Sequence, residues 1–173
     1  MRIDSDLYAG WEITRKGDNS LTPEQNRLLA YGAPLFLYND DNVDSLESTA
    51  GTDTLKEMLE EWWEVTDRKS ALETISWLLN EGQHAGADPA LAEIRQRGIE
   101  AITEEEKADE DSKIGDAFTI AEFVMGVNET TEADLPETVL AWDLVRAVNM
   151  ARWAFICGYI NEDEMWEAIR TTA

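Results

Sequence analysis

Apolar residues recur at helical spacing almost everywhere in this chain. Leu55, Met58, Leu59, Trp62 and Trp63 fall at i, i+3, i+4, i+7 and i+8, a wide stripe down one side of a helix. Ala71, Leu72, Ile75, Leu78 and Leu79 repeat the pattern, as do Ile114, Ala117, Phe118, Ala121, Val124 and Met125. No two alternating apolar–polar runs are joined by a hairpin turn. No internal repeat appears at solenoid spacing. A chain patterned this way buries its apolar residues as helices or not at all. The expected fold is all-α: one compact orthogonal or bundle-like domain of about seven helices.

Local signals place the helices. Thr22, Pro23 and Gln25 form a capping box with proline at the first helical position, and Leu28, Leu29 and Phe36 give the apolar face. Gly32-Ala33-Pro34 should kink or split that helix. Residues 39–48 read as a loop. Thr52 or Asp53 caps the second helix and Asp67 the third, which Gly82 closes. Asp88-Pro89 opens a fourth, with Leu91, Ile94 and Ile102 inward and Gly98 a point of fracture. Residues 113–127 form a fifth. Leu135-Pro136 starts the longest, which runs to about Cys157 and ends at Gly158. Asn161 and Glu164 cap the last, with Met165, Trp166 and Ile169 on its inner face. Residues 1–20, with Leu7, Tyr8, Trp11 and Ile13, read as a short irregular or extended arm ahead of a helical core over 21–173.

At 173 residues the chain suits one domain and can bury roughly 70% of its unfolded surface. Its charge is far from neutral. Fourteen Lys and Arg face 37 Asp and Glu, a formal −23. No basic residue occurs between Arg27 and Lys56 or between Lys113 and Arg146, and the densest acidic run is Glu104, Glu105, Glu106, Asp109, Glu110 and Asp111. Such a surface opposes nucleic-acid phosphate and anionic lipid. Direct nucleic-acid binding and membrane docking are therefore not expected. A basic protein partner is attracted instead, although the same charge also serves plain solubility. No apolar run approaches the ~18 residues of a membrane span, and the N-terminus lacks the apolar centre of a signal peptide. One cysteine, Cys157, excludes an internal disulfide. The expected location is the cytoplasm.

Catalytic and metal motifs fail on inspection. Asp40, Asn42 and Asp44 have calcium-loop spacing, but Ser45 and Gly51 stand where the loop needs Gly and Glu. Glu81 and His84 have the spacing of half a di-iron site, yet the chain has one histidine and such a site needs two. There is no phosphate loop and no nucleophile elbow. No metal and no cofactor is expected. Trp62, Trp63, Trp77, Trp142, Trp153 and Trp166 sit at core-like helical spacing, so packing is their expected role.

The segment 139–160 is the most informative. On its helix Asp143 and Arg146 are neighbours, on one face with Met150, Trp153 and Cys157. The adjacent strip carries Trp142, Asn149 and Arg152. Burying such polar groups costs several kcal/mol unless they are paired. In one reading Asp143 and Arg146 form an internal ion pair, and Arg152 bonds a loop carbonyl or a helix C-terminus. In the other, Arg146 and Arg152 line a pocket and grip a small anion that Asp143 orients. Asp67, His84 and Tyr159 are further candidates for such a site.

This segment resembles the C-terminal signature of the domain of unknown function 1266 family of bacterial proteins. The matching residues are Trp142-Asp143-x-x-Arg146, Arg152-Trp153, Gly158-Tyr159-Ile160 and Asn161-Glu162-Asp163-Glu164. Upstream, Trp63-Glu64-Val65, Asp67-Arg68, Trp77-Leu78-Leu79 and Leu21-Thr22-Pro23-Glu24-Gln25 are similar to other parts of the family pattern. Gly82-Gln83-His84 departs from it, because the family tends to have Gly-His directly, and this counts against a role for His84. The resemblance spans most of residues 21–169 and implies an all-α fold and bacterial origin. It implies no reaction and no catalytic residue.

Two classes of function follow. The first is a non-catalytic binding or regulatory protein, of an immunity or inhibitor kind, that covers a basic protein partner. The second is an enzyme or small-anion binder built on Asp143, Arg146, Asn149 and Arg152. A weaker third is mimicry of nucleic acid by the acidic surface.

Overall fold

The computed structural model describes residues 13–17, 19–109, 112–128 and 130–173. Among them the fold is all-α, with nine α-helices, three 3-10 turns and no strand. The helices are α1 (Pro23–Leu29), α2 (Ala33–Tyr38), α3 (Thr52–Trp63), α4 (Arg68–Asn80), α5 (His84–Arg97), α6 (Glu104–Ala108), α7 (Ile114–Asn128), α8 (Leu140–Ile156) and α9 (Glu162–Thr171). Seven expected helices become nine because two are broken. The first is interrupted by a 3-10 turn at Ala30–Gly32 and the fourth at Gly98. Most of the expected arm, with Leu7, Tyr8 and Trp11, lies outside the described residues, as do Glu110 and Asp111. Residues 13–17 are irregular and tie back to the 42–47 loop: Thr14 accepts from the Val43 amide, and Asp44 accepts from the amides of Lys16 and Gly17.

The described chain gathers into two compact units, residues 13–81 with Trp142–Ala173, and residues 82–141. The first unit holds α1–α4, α9 and nearly all of α8. Its core joins Leu28, Leu29, Phe36, Leu59, Ile75, Leu78, Met150, Met165 and Ile169. The second unit packs α5 against α7 through Leu91, Ile94, Ile102, Ala117 and Ala121, with Leu135.

Local chemistry explains most boundaries. Thr22, Asp67 and Asn161 each accept a bond from a backbone amide three residues on, and the third residue bonds back to the cap. That reciprocity satisfies two orphan amides at once. Three expectations are corrected. Gly51, not Thr52 or Asp53, is the N-cap of α3, with no side-chain bond. Helix α5 begins at His84, one turn before Asp88-Pro89, and Pro89 lies inside it. Pro89 and Ala85, whose carbonyl loses its donor, are both exposed. Asp88 instead accepts the Val139 amide at 2.9 Å. Helix α8 starts at Leu140 rather than near Pro136, because the carbonyls of Leu135 and Pro136 are held by the Arg95 guanidinium. Glu104, Glu105 and Glu106 form the first turn of α6, where the helix dipole favours negative charge.

Two glycines are dictated by geometry. A Cβ on Gly32 would meet Val148 at 2.7 Å and Phe36 at 2.8 Å. Only a bare Cα lets the α1–α2 break approach α8 this closely. Gly158 ends α8 in the left-handed region, with φ 76.

Candidate functional site

Helix α8 carries the strip of polar residues, and its members fall into two environments. Arg152 and Asn149 are sealed. The Arg152 side chain is wholly buried, lies over the Phe36 ring at 4.5 Å and donates Nη1 to Asp41 Oδ2 at 2.9 Å. Its Nη2 donates to the Glu47 carbonyl and its Nε to that of Leu46. Asp41 also accepts from the amides of Asn42 and Thr49 and from the Ser48 hydroxyl. Burial pulls the Arg152 guanidinium below its ordinary value, and Asp41 pulls it back. Asn149 donates its amide to the carbonyls of Gly32 and Val145. These two side chains hold the 30–49 segment against α8, and Asn149 Oδ1 is left buried without a hydrogen-bond partner.

Asp143 and Arg146 are placed differently. They form an ion pair one helical turn apart, with Asp143 wholly buried and the Arg146 side chain 16% exposed. The exposed edge of Arg146 faces a cleft of about 750 Å³. Trp63 and Trp77 flank the guanidinium at 5.8 and 5.9 Å, and Trp142 lies at 6.0 Å, all at the outer reach of a cation–π contact. Glu61, Glu64 and Glu73 stand around this cleft, with Trp62 and Thr74. Glu73 also pairs with Lys69 on its own helix.

The expected burial of the tryptophans is corrected in part. Trp153 and Trp166 are core residues, but Trp62 is 75% exposed, Trp77 40% and Trp142 44%. Trp62 lies in the last turn of α3, and on the helical wheel it falls only about 20° from Leu55, so spacing does not account for its exposure. Neither this exposure nor the grouping of Glu61, Glu64 and Glu73 had a signal in the sequence, since only packing brings α3 beside α4.

The remaining candidates are scattered. Asp67 caps α4, and its bonds from Ser70 lower its carboxyl value. Tyr159 is half-buried, and desolvation raises its phenol first, with Cys157, Glu60 and Asp67 adding to it. His84 begins α5 in the other unit. The Asp44 carboxylate accepts from the Lys16 and Gly17 amides, Asn42 donates its side-chain amide to the Glu47 carbonyl, and Asp40 accepts from the Thr49 hydroxyl through its backbone carbonyl. No group of three or more potential metal ligands gathers among the described residues. No helix among them is long and apolar enough to cross a membrane.

A family model described as Protein of unknown function (DUF1266) matches residues 58–173, well over half of the chain. The chain belongs to this family. No curated protein and no solved structure matches it. The DUF1266 match begins within α3 at Met58 and runs through α9. It therefore contains every residue around the tryptophan cleft, from Glu61 to Arg146. Asp41, the partner of Arg152, lies before the DUF1266 match, as does the Leu21–Gln25 start.

Proposed function

We propose that this chain is a non-catalytic binding domain whose acidic, tryptophan-bearing α3 face engages a basic protein partner. The observation that carries this reading is Trp62. It is 75% exposed at the end of an amphipathic helix, beside Glu57, Glu61 and Glu64. An indole held out in water leaves a large apolar area uncovered, and tryptophan is the residue most enriched where binding energy concentrates. The surrounding carboxylates and the −23 charge favour a cationic counterpart and speed its approach at low salt. The clustered polar groups also argue against catalysis, because two of the four, Asn149 and Arg152, are wholly enclosed in the fold.

A second reading, a small anion held at Arg146, draws on one observation: Arg146 Nε is buried and has no hydrogen-bond partner. The pairing with Asp143 and the nearby Glu61, Glu64 and Glu73 weigh against it.

The test is a pull-down of the full chain from an extract of its own source cells, at low and high salt, beside Trp62→Ala. A reproducible basic protein that salt releases and the variant loses is the expected result. Recovery of no reproducible partner, or of one that Trp62→Ala retains, overturns the proposal. Isothermal titration with inorganic phosphate tests the second reading, which saturable binding lost in Arg146→Met would favour.

A further inference from the structure

Trp62 stands between two clefts, each with carboxylates on its border: Glu61, Glu64 and Glu73 on one, Asp41, Glu57 and Glu61 on the other. On its α4 side is the cleft with Trp63, Trp77, Arg146 and the glutamates. On its other side, against the 39–50 loop, is a smaller cleft of about 360 Å³ whose apolar lining comes from Ala50, Leu55, Met58 and Trp153. Glu57 borders the smaller cleft, and Glu61 and Trp62 border both. The larger cleft is aromatic and anionic. Its one cation, Arg146, is already paired with Asp143. An aromatic wall with a carboxylate rim suits a Lys or Arg side chain. The smaller cleft offers a flexible thioether and aliphatic carbons, which suit an unbranched apolar side chain.

We infer that the partner presents a basic amphipathic helix, seating an apolar side chain beside Met58 and a Lys or Arg among Trp62, Trp77 and Glu64. The inference rests on the binding reading above and names the segment that the α3 face takes. Both clefts open beside one tryptophan, so one face of one segment can supply both chemistries. A helix does this through residues three and four apart. Strand addition lacks a template, since the described residues include no sheet edge. The charge complements as well. Glu57, Glu60, Glu61 and Glu64 crowd the exposed side of α3, where Lys56 is the only basic residue.

The experiment uses the full chain and two synthetic peptides of identical Leu and Lys content. One is patterned with a 3.6-residue period, and the other carries the same residues in an order with no apolar face. Titration calorimetry and far-ultraviolet circular dichroism follow binding. The patterned peptide is expected to bind at least roughly tenfold more tightly and to become helical on the protein. Trp62→Ala and Met58→Asp should each erase that advantage. Trp62→Ala removes an exposed side chain and leaves the fold intact, so the test survives should Met58→Asp unfold. Equal binding of the two peptides, or a patterned advantage that persists in Trp62→Ala, overturns the inference while leaving a basic partner in place. Failure of both peptides to bind at low salt removes the inference and the binding reading together.

Discussion

Arg152 and Asp41, 111 positions apart, share an ion pair at 2.9 Å with both side chains closed off from solvent. Removing one partner strands the other as a buried charge. Asp41→Ala should therefore cost about 3–5 kcal/mol, measured by urea unfolding. Adding Arg152→Leu to that variant should cost less than the sum of the single changes, because the stranded charge goes too. A loss below about 1 kcal/mol in Asp41→Ala, the range of exposed pairs, would contradict the closed network.

The second ion pair on α8 is asymmetric. Asp143 is wholly buried, whereas Arg146 keeps an edge on the cleft. Arg146→Met is expected to destabilise more than Asp143→Asn, because a guanidinium with access to water is cheaper to leave alone than an enclosed carboxylate. Thermal melts at neutral pH rank the two. The reverse order would mean that Arg146 is the more enclosed partner.

Glu64 ends α3 in the left-handed region, at φ 55 and ψ 29. Its amide bonds back to the Glu60 carbonyl, and the Val65 amide to that of Leu59. Glycine fills such a position without the steric cost an L-residue pays, about 1–2 kcal/mol. Glu64→Gly should raise stability by about 0.5–1 kcal/mol and weaken binding of a basic segment. Such an exchange is the mark of a side chain kept for its place at the cleft rather than for the fold. A variant that gains stability and binds as well as the native chain would assign Glu64 no role.

Acid should weaken the unit that contains α5–α7. Two hydrogen bonds from Arg97, followed by those from Thr103, hold the Glu106 carboxyl down to about 2 from an ordinary 4.5. Its folded value lies below its unfolded one, so the unfolded chain binds the proton more readily. The stabilisation is complete above about pH 5 and is lost as pH falls from 4.5 towards 2. Asp67, through Ser70, and Glu164, through Asn161 and then Arg68, act in the same direction. Melting curves from pH 6 to 2 should show a shallower acid decline in Glu106→Gln than in the native chain. Parallel declines would count against this assignment.

The polar strip illustrates what a helical wheel can and cannot decide. Spacing alone placed Asp143 beside Arg146, since residues three apart on a helix are neighbours whatever surrounds them. It grouped Arg152 and Asn149 with Trp142 on the adjacent strip, yet Arg152 is buried and Trp142 is 44% exposed. The partners explain the split. Arg152 meets Asp41 and the carbonyls of Leu46 and Glu47, and no spacing rule reaches across more than a hundred residues.

Helix type, most caps, the breaks at Gly32 and Gly98 and the end at Gly158 were determined by the sequence itself. They rest on interactions within a few residues: side chain to amide, the missing proline N–H, and the backbone freedom of glycine. Tertiary structure decided which tryptophans face water, which carboxylate meets Arg152, and that α3, α4 and α8 line an open cleft beside Arg146. Those outcomes depend on how many apolar side chains compete for a finite core and on which distant segment arrives beside each helix. Periodicity records neither.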